Sequence, residues 1–416
     1  MRASLLAAVL AAAVLDVPVS ADRLPVASPE SVGLSSERLE RLARAIRAEV
    51  DRGRVPGAVV AVARRGRLAY YEAFGYRDPG AKVAMPKDAI FPLASMTKPF
   101  AAVATLMLAE EGTLLLNDPI GTVLPALANL TVQTATGVEP ARRQPTLQDM
   151  LRHTAGVSYG NRGDSPLHRL YGQRVGGGTT QTADEFLQAL AGLPLFYHPG
   201  TAWEYSYGID VAGLAVEAVT RQRLGAFLQE RLFGPLGMTD TAFAQPADKA
   251  ARFAKAFARD PDTGQPIADR PVDQAAKFDC GGGCASGTAL DYLQFASMLL
   301  NKGVLGGTRV LGRKSVEFMT ADQLGAGVDR SRLHEFAVEH MDGFGFGLGV
   351  AVRTQPGIAG VPGSAGEFLW SGAQGTMFWV DPREELAVVF MARTPGPVRR
   401  HYRQLVKNLV VQALVD

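Results

Sequence analysis

The most informative stretch of the sequence is Ser95-Met96-Thr97-Lys98, which opens a strongly apolar helical pattern over residues 99–111. Residues three apart on a helix share a face, so this spacing predicts that the Lys98 amine lies beside the Ser95 hydroxyl. A serine hydroxyl is a weak nucleophile until a neighbouring group takes its proton. A helix start also offers backbone N–H groups and a positive dipole end to an oxyanion. The motif therefore makes Ser95 a candidate nucleophile and Lys98 its partner.

The composition is that of a globular enzyme large enough to form two lobes. The chain has 416 residues, of which 47% are hydrophobic and 20% are charged, and its formal net charge is +2. A chain of this length can bury a large core. Lysines and arginines are scattered along the sequence, which argues against a nucleic-acid-binding surface. We therefore expect no nucleic-acid partner.

The N-terminus has the pattern of a secretory signal peptide. Arg2 precedes an apolar run over residues 5–15, and small residues follow at 19–21. The run is shorter than the roughly 20 residues that span a bilayer. A plain N-terminal helix is the alternative, because Asp16 and the single positive charge weaken the pattern. We predict a signal peptide over residues 1–21, a periplasmic or secreted location, and no integral membrane segment after cleavage.

The two cysteines of the chain, Cys280 and Cys284, flank three consecutive glycines. In an oxidising compartment they could form a disulfide, since glycines make a tight loop easy to close. A reduced, buried pair of thiols is the other interpretation, and the sequence leaves the choice open. Two thiols without nearby histidines do not form a zinc site.

Predicted strands lie at both ends of the chain, and helical patterns dominate between them. Sequential hairpins favour antiparallel pairing. The predicted strands are 57–63, 68–74, 345–352, 367–371, 376–380 and 386–392, and the predicted terminal helices are 35–51 and 399–414.

This order predicts an α+β fold in which one antiparallel sheet is flanked by the N- and C-terminal helices and carries an inserted, mainly helical lobe. We place the sheet domain at residues 22–90 plus 286–416 and the helical domain at residues 91–285. The Ser95 helix then begins where the two lobes meet, which is a usual place for a cleft.

A second candidate group is Tyr205, in a loop directly before a predicted helix. A lysine ammonium nearby stabilises a phenolate, so Tyr205 could act as a base toward Ser95 and as an acid toward a leaving group. A packed aromatic residue beside Trp203 is the alternative interpretation.

A third motif, Trp370-Ser371-Gly372-Ala373, ends a predicted strand. A glycine there lets a substrate approach the strand edge, where a backbone N–H group can face an oxyanion.

Together the three motifs resemble those of the family VIII carboxylesterases. These enzymes belong to the serine β-lactamase and penicillin-binding-protein superfamily and are close to class C β-lactamases. Residues 146–157 are similar to the segment of this family that ends in HTSGL, and residues 233–238 and 282–292 match its framework. The resemblance extends over residues 30–415.

The resemblance implies a serine β-lactamase-like fold and acyl-enzyme chemistry without metal or cofactor. It implies that Ser95 is the nucleophile, Lys98 its partner and Tyr205 the general base. The backbone N–H groups of Ser95 and Ala373 would form the oxyanion hole, and Trp370 would line the pocket.

Two departures from the β-lactamase pattern indicate the substrate class. Tyr207 stands where the Tyr-x-Asn motif has asparagine, and Trp370 stands where the Lys-Thr-Gly motif has lysine. Both changes replace polar recognition by aromatic surface, which suits an uncharged ester better than a carboxylated lactam. With Gly372, these residues are expected to bind a small-molecule ester of short to medium chain length.

Residues 156–160 also fit Gly-x-Ser-x-Gly, the nucleophile elbow of α/β-hydrolases. That motif needs a strand before the serine and a helix directly after it. Here a helical pattern precedes Ser158 and a loop-like run follows it. We therefore expect Ser158 not to be the nucleophile and the nearby His153 to be structural.

The favoured function is a serine carboxylesterase. A class C-like β-lactamase or D-amino-acid peptidase, and an acyltransferase that passes the acyl group to an alcohol, share the first half of its mechanism. An acylated penicillin-binding-type sensor is the non-enzymatic alternative, and the intact set of Ser95, Lys98 and Tyr205 argues against it. The sequence does not decide the oligomeric state.

Overall fold

The computed structural model describes residues 24–267, 276–334 and 342–416, so the predicted signal peptide over residues 1–21 lies outside the described residues. The strands are β1 (Gly57–Arg64), β2 (Arg67–Asp78), β3 (Val83–Ala84), β4 (Phe91–Pro92), β5 (Thr131–Thr134), β6 (Gly137–Pro140), β7 (Ser286–Gly287), β8 (Val304–Leu305), β9 (Thr308–Arg309), β10 (Phe344–Phe346), β11 (Ala351–Arg353), β12 (Phe368–Ser371), β13 (Met377–Asp381) and β14 (Leu386–Ala392).

Most helices lie between β4 and β10. The α-helices are α1 (Ser36–Asp51), α2 (Lys98–Glu110), α3 (Leu147–Leu151), α4 (Pro166–Arg174), α5 (Ala183–Ala191), α6 (Gly208–Thr220), α7 (Leu224–Leu228), α8 (Gly234–Leu236), α9 (Ala289–Leu300), α10 (Arg313–Met319), α11 (Ser331–His334) and α12 (Val398–Val411). One π-helical turn, Gln229–Phe233, joins α7 to α8, and short 3-10 turns occupy Pro29–Val32, Ala94–Thr97, Ile120–Thr122, Pro125–Leu127 and Ala247–Arg252.

Both ends of the chain contribute to one eight-stranded sheet within the described residues. Its strand order is β10-β11-β12-β13-β14-β1-β2-β3, and every neighbouring pair is antiparallel. The N-terminal strand β1 pairs with β14 from Ala58 opposite Ala392 to Arg64 opposite Leu386. This pairing brings the two termini together and confirms the predicted sheet. The domain boundaries at residues 90/91 and 285/286 stay a prediction.

The core strands are covered on both faces. All residues of β1 and of β14 are buried. A strand whose two faces are both covered has a nearly continuous apolar sequence, as these strands do. Helix α9 packs against β1, β13 and β14, whereas α1 packs against β2 and α12. The side chain of Ser35 caps α1 by accepting the Arg38 N–H group at 3.2 Å. The predicted terminal helices are therefore confirmed: they pack against each other, and α1 packs against the sheet.

One predicted strand is wrong in extent. Residues 345–352 form two short strands, β10 and β11, joined by a tight turn. The Gly347 N–H group donates to the Val350 carbonyl at 2.8 Å, and Gly349 has a φ of +78°. A Cβ at Gly349 would also come within 3.1 Å of the Ala102 side chain on α2. The continuous apolar pattern gave no sign of the chain reversal between β10 and β11, which glycine makes possible.

Cys280 and Cys284 form a disulfide, with their Cα atoms 5.2 Å apart. The bridge closes the loop that contains Gly281, Gly282 and Gly283, and Gly282 lies beside the buried side chain of Asp210. The structure thus decides a question that the sequence left open. In the described part of the chain, no helix is both long and apolar enough to cross a bilayer.

The segment 146–154 folds around one buried carboxylate, Asp149. Its oxygens accept hydrogen bonds from Arg143 at 3.1 Å, from Arg152 at 2.8 Å and from the Thr154 hydroxyl at 2.9 Å. Asp149 and Thr146 also form a capping box at the start of α3. Burial alone would raise the pKa of Asp149, but hydrogen bonds from Arg143, Thr146 and Arg152 lower it to about 2. This carboxylate therefore holds the turn that follows α3.

We expect Asp149→Ala to lower the free energy of unfolding at pH 7 by about 3 kcal/mol, because it leaves two guanidinium groups without their carboxylate. The pKa of Asp149 is about 2 in the folded protein and 3.8 ordinarily. Its stabilisation is therefore present above pH 3.8 and is lost as the pH falls toward 2, an increment of about 2 kcal/mol. Urea unfolding of wild type and Asp149→Ala from pH 7 down to pH 2 measures both effects.

Glu317 supplies the control for this prediction. Hydrogen bonds from Lys314 and Arg313 lower its pKa to about 2 as well, but its carboxylate is exposed to solvent. Glu317→Ala should change stability little, since exposed ion pairs contribute little. Equal effects of the two substitutions would contradict the structural role of Asp149.

Candidate active site

Ser95 lies in the 3-10 turn Ala94–Thr97, directly before α2. Ala94 has a φ of +47°, a left-handed conformation that is unfavourable for residues other than glycine and tends to occur at functional sites. The Thr97 hydroxyl fixes the turn: it donates to the Ala94 carbonyl at 2.7 Å and accepts the Ala285 N–H group at 3.1 Å. The turn thereby holds the Ser95 side chain at the wall of a cavity.

Lys98 is fully buried beneath Ser95. Its Nζ lies 3.4 Å from the Ser95 Oγ and donates to the Gly282 carbonyl at 2.6 Å. The same atom lies 4.6 Å from the centre of the Tyr205 ring and 5.6 Å from that of Tyr159, so both rings face the amine. The spacing of three residues therefore brings the two motif side chains into hydrogen-bonding range, as expected.

The ring of Tyr205 is held by other aromatic groups. Its centre lies 4.8 Å from that of His153, 5.4 Å from that of Trp370 and 6.2 Å from that of Trp203. The preceding residue, Glu204, donates its N–H group to the His153 carbonyl at 2.8 Å. His153 is fully buried, and burial lowers its pKa well below the ordinary value. Its contacts are those of a packing residue that supports Tyr205.

The end of β12 packs against the chain that leads into Ser95. A Cβ at Gly372 would collide with the Leu93 carbonyl oxygen and with the Thr376 hydroxyl, so only glycine fits there. The Gly372 N–H group donates to the Thr376 carbonyl at 2.9 Å, which turns the chain after the strand. This close approach sets Ala373 and Trp370 on the same cavity as Ser95.

The cavity has a volume of about 370 Å³. It is lined by residues from several elements: Ser95, Tyr159, Asn161, Arg162, Tyr205, Trp370, Ser371, Gly372, Ala373, Arg399 and Arg403. Ser95, Tyr205, Trp370, Gly372 and Ala373, all singled out from the sequence, therefore share one site.

Tyr207 does not belong to that lining, within the described residues. Its hydroxyl donates to the Val175 carbonyl at 3.2 Å, and its ring packs against Phe186 and Tyr159. Burial raises its pKa to about 12. The ring of Tyr159 lines the cavity instead, so the structure places Tyr207 one layer away from the position expected for a substrate contact.

Sequence reasoning missed three arginines at the cavity. Arg403 donates to the Thr376 carbonyl at 3.0 Å and to the Gly372 carbonyl, and Arg399 donates to the Gly396 carbonyl at 2.6 Å. Arg162 lies 3.6 Å from the carboxylate of Glu204. The spacing of four residues between Arg399 and Arg403 in a predicted helix was the available signal, since such residues share a face.

Ser158 is fully buried and lies outside the cavity lining. Its hydroxyl donates to the Glu204 carboxylate at 2.8 Å, and Glu204 also accepts from Arg332 at 2.8 Å. The elbow-like sequence thus forms part of a buried polar network. Within the described ranges, no three His, Cys, Asp or Glu side chains cluster as metal ligands would.

The arrangement places the Ser95 side chain and Tyr205 on one cavity, with the Lys98 amine buried beside them and a glycine-bearing strand edge next to Ser95. Chemistry of this kind can remove a proton from a serine and receive an oxyanion at backbone N–H groups.

Comparison with known proteins identifies relatives of this chain. The chain is 38% identical over 357 residues to an uncharacterised protein of Mycobacterium tuberculosis, covering 83% of this chain and 88% of that protein. It is 31% identical over 366 residues to Esterase EstB of Burkholderia gladioli, covering 82% of this chain and 86% of that protein.

Among solved structures, EstCE1, described as a hydrolase with promiscuous acyltransferase activity, superposes with a TM-score of 0.75 at 26% identity, covering 90% of this chain and 98% of that chain. A family VIII carboxylesterase shares the fold, with a TM-score of 0.67 at 21% identity, over 92% of this chain and 99% of that chain. These likenesses confirm the resemblance and the fold class. The sequence model of the Beta-lactamase family matches residues 42–412, and the chain belongs to that family.

Proposed function

We propose that the protein is a serine carboxylesterase that hydrolyses short- to medium-chain esters through an acyl-enzyme on Ser95. The observation that carries this proposal is the contact of the buried Lys98 amine with the Ser95 hydroxyl at 3.4 Å and with the Tyr205 ring at 4.6 Å. The likeness to Esterase EstB and to the hydrolase EstCE1 supports the same reaction class.

In the proposed acylation step, the Ser95 Oγ attacks the ester carbonyl carbon while its proton passes to the Lys98–Tyr205 pair. The carbonyl oxygen becomes an oxyanion, which the backbone N–H groups of Ser95 and Ala373 would bind. The tetrahedral intermediate collapses by breaking the bond to the alkoxy oxygen. Tyr205 then gives the proton to that oxygen, and the alcohol leaves.

Deacylation repeats these steps with water as the nucleophile. Water adds to the acyl carbonyl, its proton passes to Tyr205, and the bond to the Ser95 Oγ breaks as that oxygen regains a proton. The carboxylic acid is released, and the enzyme returns to its starting state. An alcohol in the place of water would produce a new ester, so an acyltransferase is the second candidate.

The likeness to EstCE1, described as having promiscuous acyltransferase activity, favours testing that second acceptor. The ratio of new ester to free acid, measured by chromatography in the presence of an added alcohol, separates the two functions.

The walls of the cavity favour an uncharged ester. Trp370 and Tyr159 present aromatic surface there, and each CH₂ group buried on binding contributes about 0.8 kcal/mol. The carboxylate of a penicillin or cephalosporin would lose water and need a cation in return. Each cavity arginine already has a protein partner: Arg403 donates to two backbone carbonyls, Arg399 donates to the Gly396 carbonyl and Arg162 lies against the Glu204 carboxylate.

We expect Ser95→Ala to lower kcat/KM for p-nitrophenyl butyrate by at least about 10³-fold, or about 4 kcal/mol in barrier, because no other group replaces the nucleophile. Ser158→Ala should retain most activity per folded molecule, since the Ser158 hydroxyl donates to the Glu204 carboxylate and lies outside the cavity lining. Circular dichroism establishes that each variant is folded. A folded but inactive Ser158→Ala beside an active Ser95→Ala would overturn the assignment.

Lys98→Ala and Tyr205→Phe should each reduce kcat by a similar factor, and the double variant should be little worse. Groups that act as one catalytic unit are not additive, and a double-mutant cycle measures this coupling. Tyr207→Phe is the matched control and should keep nearly full activity, because its hydroxyl bonds to the Val175 carbonyl. Wild-type rates in Tyr205→Phe, or additive losses, would contradict the shared role.

Across a series of p-nitrophenyl esters, kcat/KM should rise over the first few carbons of the acyl chain and then fall, once the cavity is filled. Trp370→Ala should flatten the rise, because it removes the apolar wall. A chromogenic cephalosporin should turn over far more slowly than p-nitrophenyl butyrate. A specificity constant for the cephalosporin at or above that of the ester would instead favour the β-lactamase function.

A further inference from the structure

We propose that Asp210 is a positioning residue for Lys98 and acts on it through Gly282. The inference rests on the proposed function, because it assigns Lys98 to the activation of Ser95. Asp210 lies in the first turn of α6 and is only 5% exposed. It lines no part of the substrate cavity among the described residues, so it acts through another group.

A single residue connects the two buried charges. The Gly282 N–H group donates to the Asp210 Oδ1 at 2.9 Å, while the Gly282 carbonyl accepts from the Lys98 Nζ at 2.6 Å. A Cβ at residue 282 would collide with the Asp210 carboxylate, so glycine is required for this approach. Any displacement of Gly282 from Asp210 therefore moves the strongest acceptor of the Lys98 amine.

The loop that contains Gly282 is otherwise stiff. The disulfide between Cys280 and Cys284 closes it, and the Gly283 N–H group donates to the Cys280 carbonyl at 3.2 Å. Ala285, which directly follows Cys284, donates its N–H group to the Thr97 hydroxyl of the Ser95 turn. Asp210 thus holds the middle of a loop whose far end is already attached to the nucleophile turn.

The charge of Asp210 is poorly explained by stability alone. In the described part of the chain, no cationic side chain lies within ion-pair distance of its carboxylate. Burial raises its pKa, and the positive charge of Lys98 opposes that rise. A buried carboxylate of this kind is destabilising unless its hydrogen bonds and a nearby opposite charge compensate. A favourable interaction with the dipole of α6 is the purely structural alternative.

Other titratable groups share this environment and enter the pH test. Burial raises the pKa of Tyr159 and of Tyr207, and the negative charge of Asp210 adds to both shifts. Lys98 faces the rings of Tyr159 and Tyr205, and its charge adds to the lowering of the pKa of His153. Among these groups, Asp210 carries the negative charge, so its removal makes the surroundings of Lys98 more positive.

Two substitutions separate geometry from charge. Asp210→Asn keeps an oxygen that can accept the Gly282 N–H group but removes the charge, whereas Asp210→Ala removes both. We expect Asp210→Ala to lower kcat for p-nitrophenyl butyrate on the order of 10²-fold with KM within twofold, because a displaced catalytic group loses rate rather than binding. Asp210→Asn should recover most of kcat at the optimal pH.

The pH profile supplies the readout that a structural role would not move. Removal of a negative charge disfavours the protonated state of nearby groups, so the acid limb of kcat/KM should shift to lower pH in Asp210→Asn. Asp184 is the matched control, since it is an exposed carboxylate in the first turn of α5. Asp184→Asn should leave the limb unchanged.

Given an active wild type, two results together overturn the inference: Asp210→Asn has the same pH profile as the wild type, and Asp210→Ala keeps the wild-type kcat. It is also overturned if Asp210→Ala loses only thermal stability, with no rescue of kcat by asparagine. Absence of ester turnover in the wild type would instead refute the proposed function. The rate at which a fluorophosphonate labels Ser95 then tests the inference separately, since it needs an activated serine but no turnover. Equal labelling rates in wild type and Asp210→Ala would refute it.

Discussion

The burial of the Lys98 amine is the constraint on which the rest of this site depends. A basic group without exposed surface is unfavourable unless the fold supplies acceptors and electron-rich surfaces around it. Here the Gly282 carbonyl and the Ser95 hydroxyl supply the acceptors, and the rings of Tyr205 and Tyr159 supply the surfaces. These groups lie between residues 95 and 282, so placing the amine requires segments that are far apart in sequence to pack together.

Much of the fold was predictable because its signals are local. Apolar runs marked the central strands, and the periodicity of α1 and α12 marked the terminal helices. The errors arose where the decisive contact is distant in sequence. The reversal between β10 and β11 depends on Gly349 packing against α2, and no local pattern contains that information. The redox state of Cys280 and Cys284 likewise depended on how the loop packs.

The site follows the same division. The spacing of Ser95 and Lys98 is a helical property, so sequence alone could place those two side chains together. The position of Tyr207 could not be read from the sequence, because the partner of its hydroxyl, the Val175 carbonyl, lies 32 residues away along the chain. The aromatic residue that lines the cavity is instead Tyr159, which lies 46 positions before Tyr205 in the sequence. The sequence did not indicate a role for Asp210, because its hydrogen-bond partner is the backbone N–H group of Gly282.

Two buried aspartates show how the fold assigns different tasks to one residue type. Asp149 is surrounded by guanidinium groups, its pKa falls to about 2, and it remains ionised as a structural anchor. Asp210 has backbone donors and the distant charge of Lys98, and burial raises its pKa. The pKa values of the two carboxylates are thus shifted in opposite directions, in line with a structural role for one and the proposed positioning role for the other. In the proposed mechanism, the groups that activate Ser95 are held by buried contacts, whereas the proposed ester preference rests on cavity residues such as Trp370. One family can therefore keep its chemistry and change its substrates by altering the wall alone.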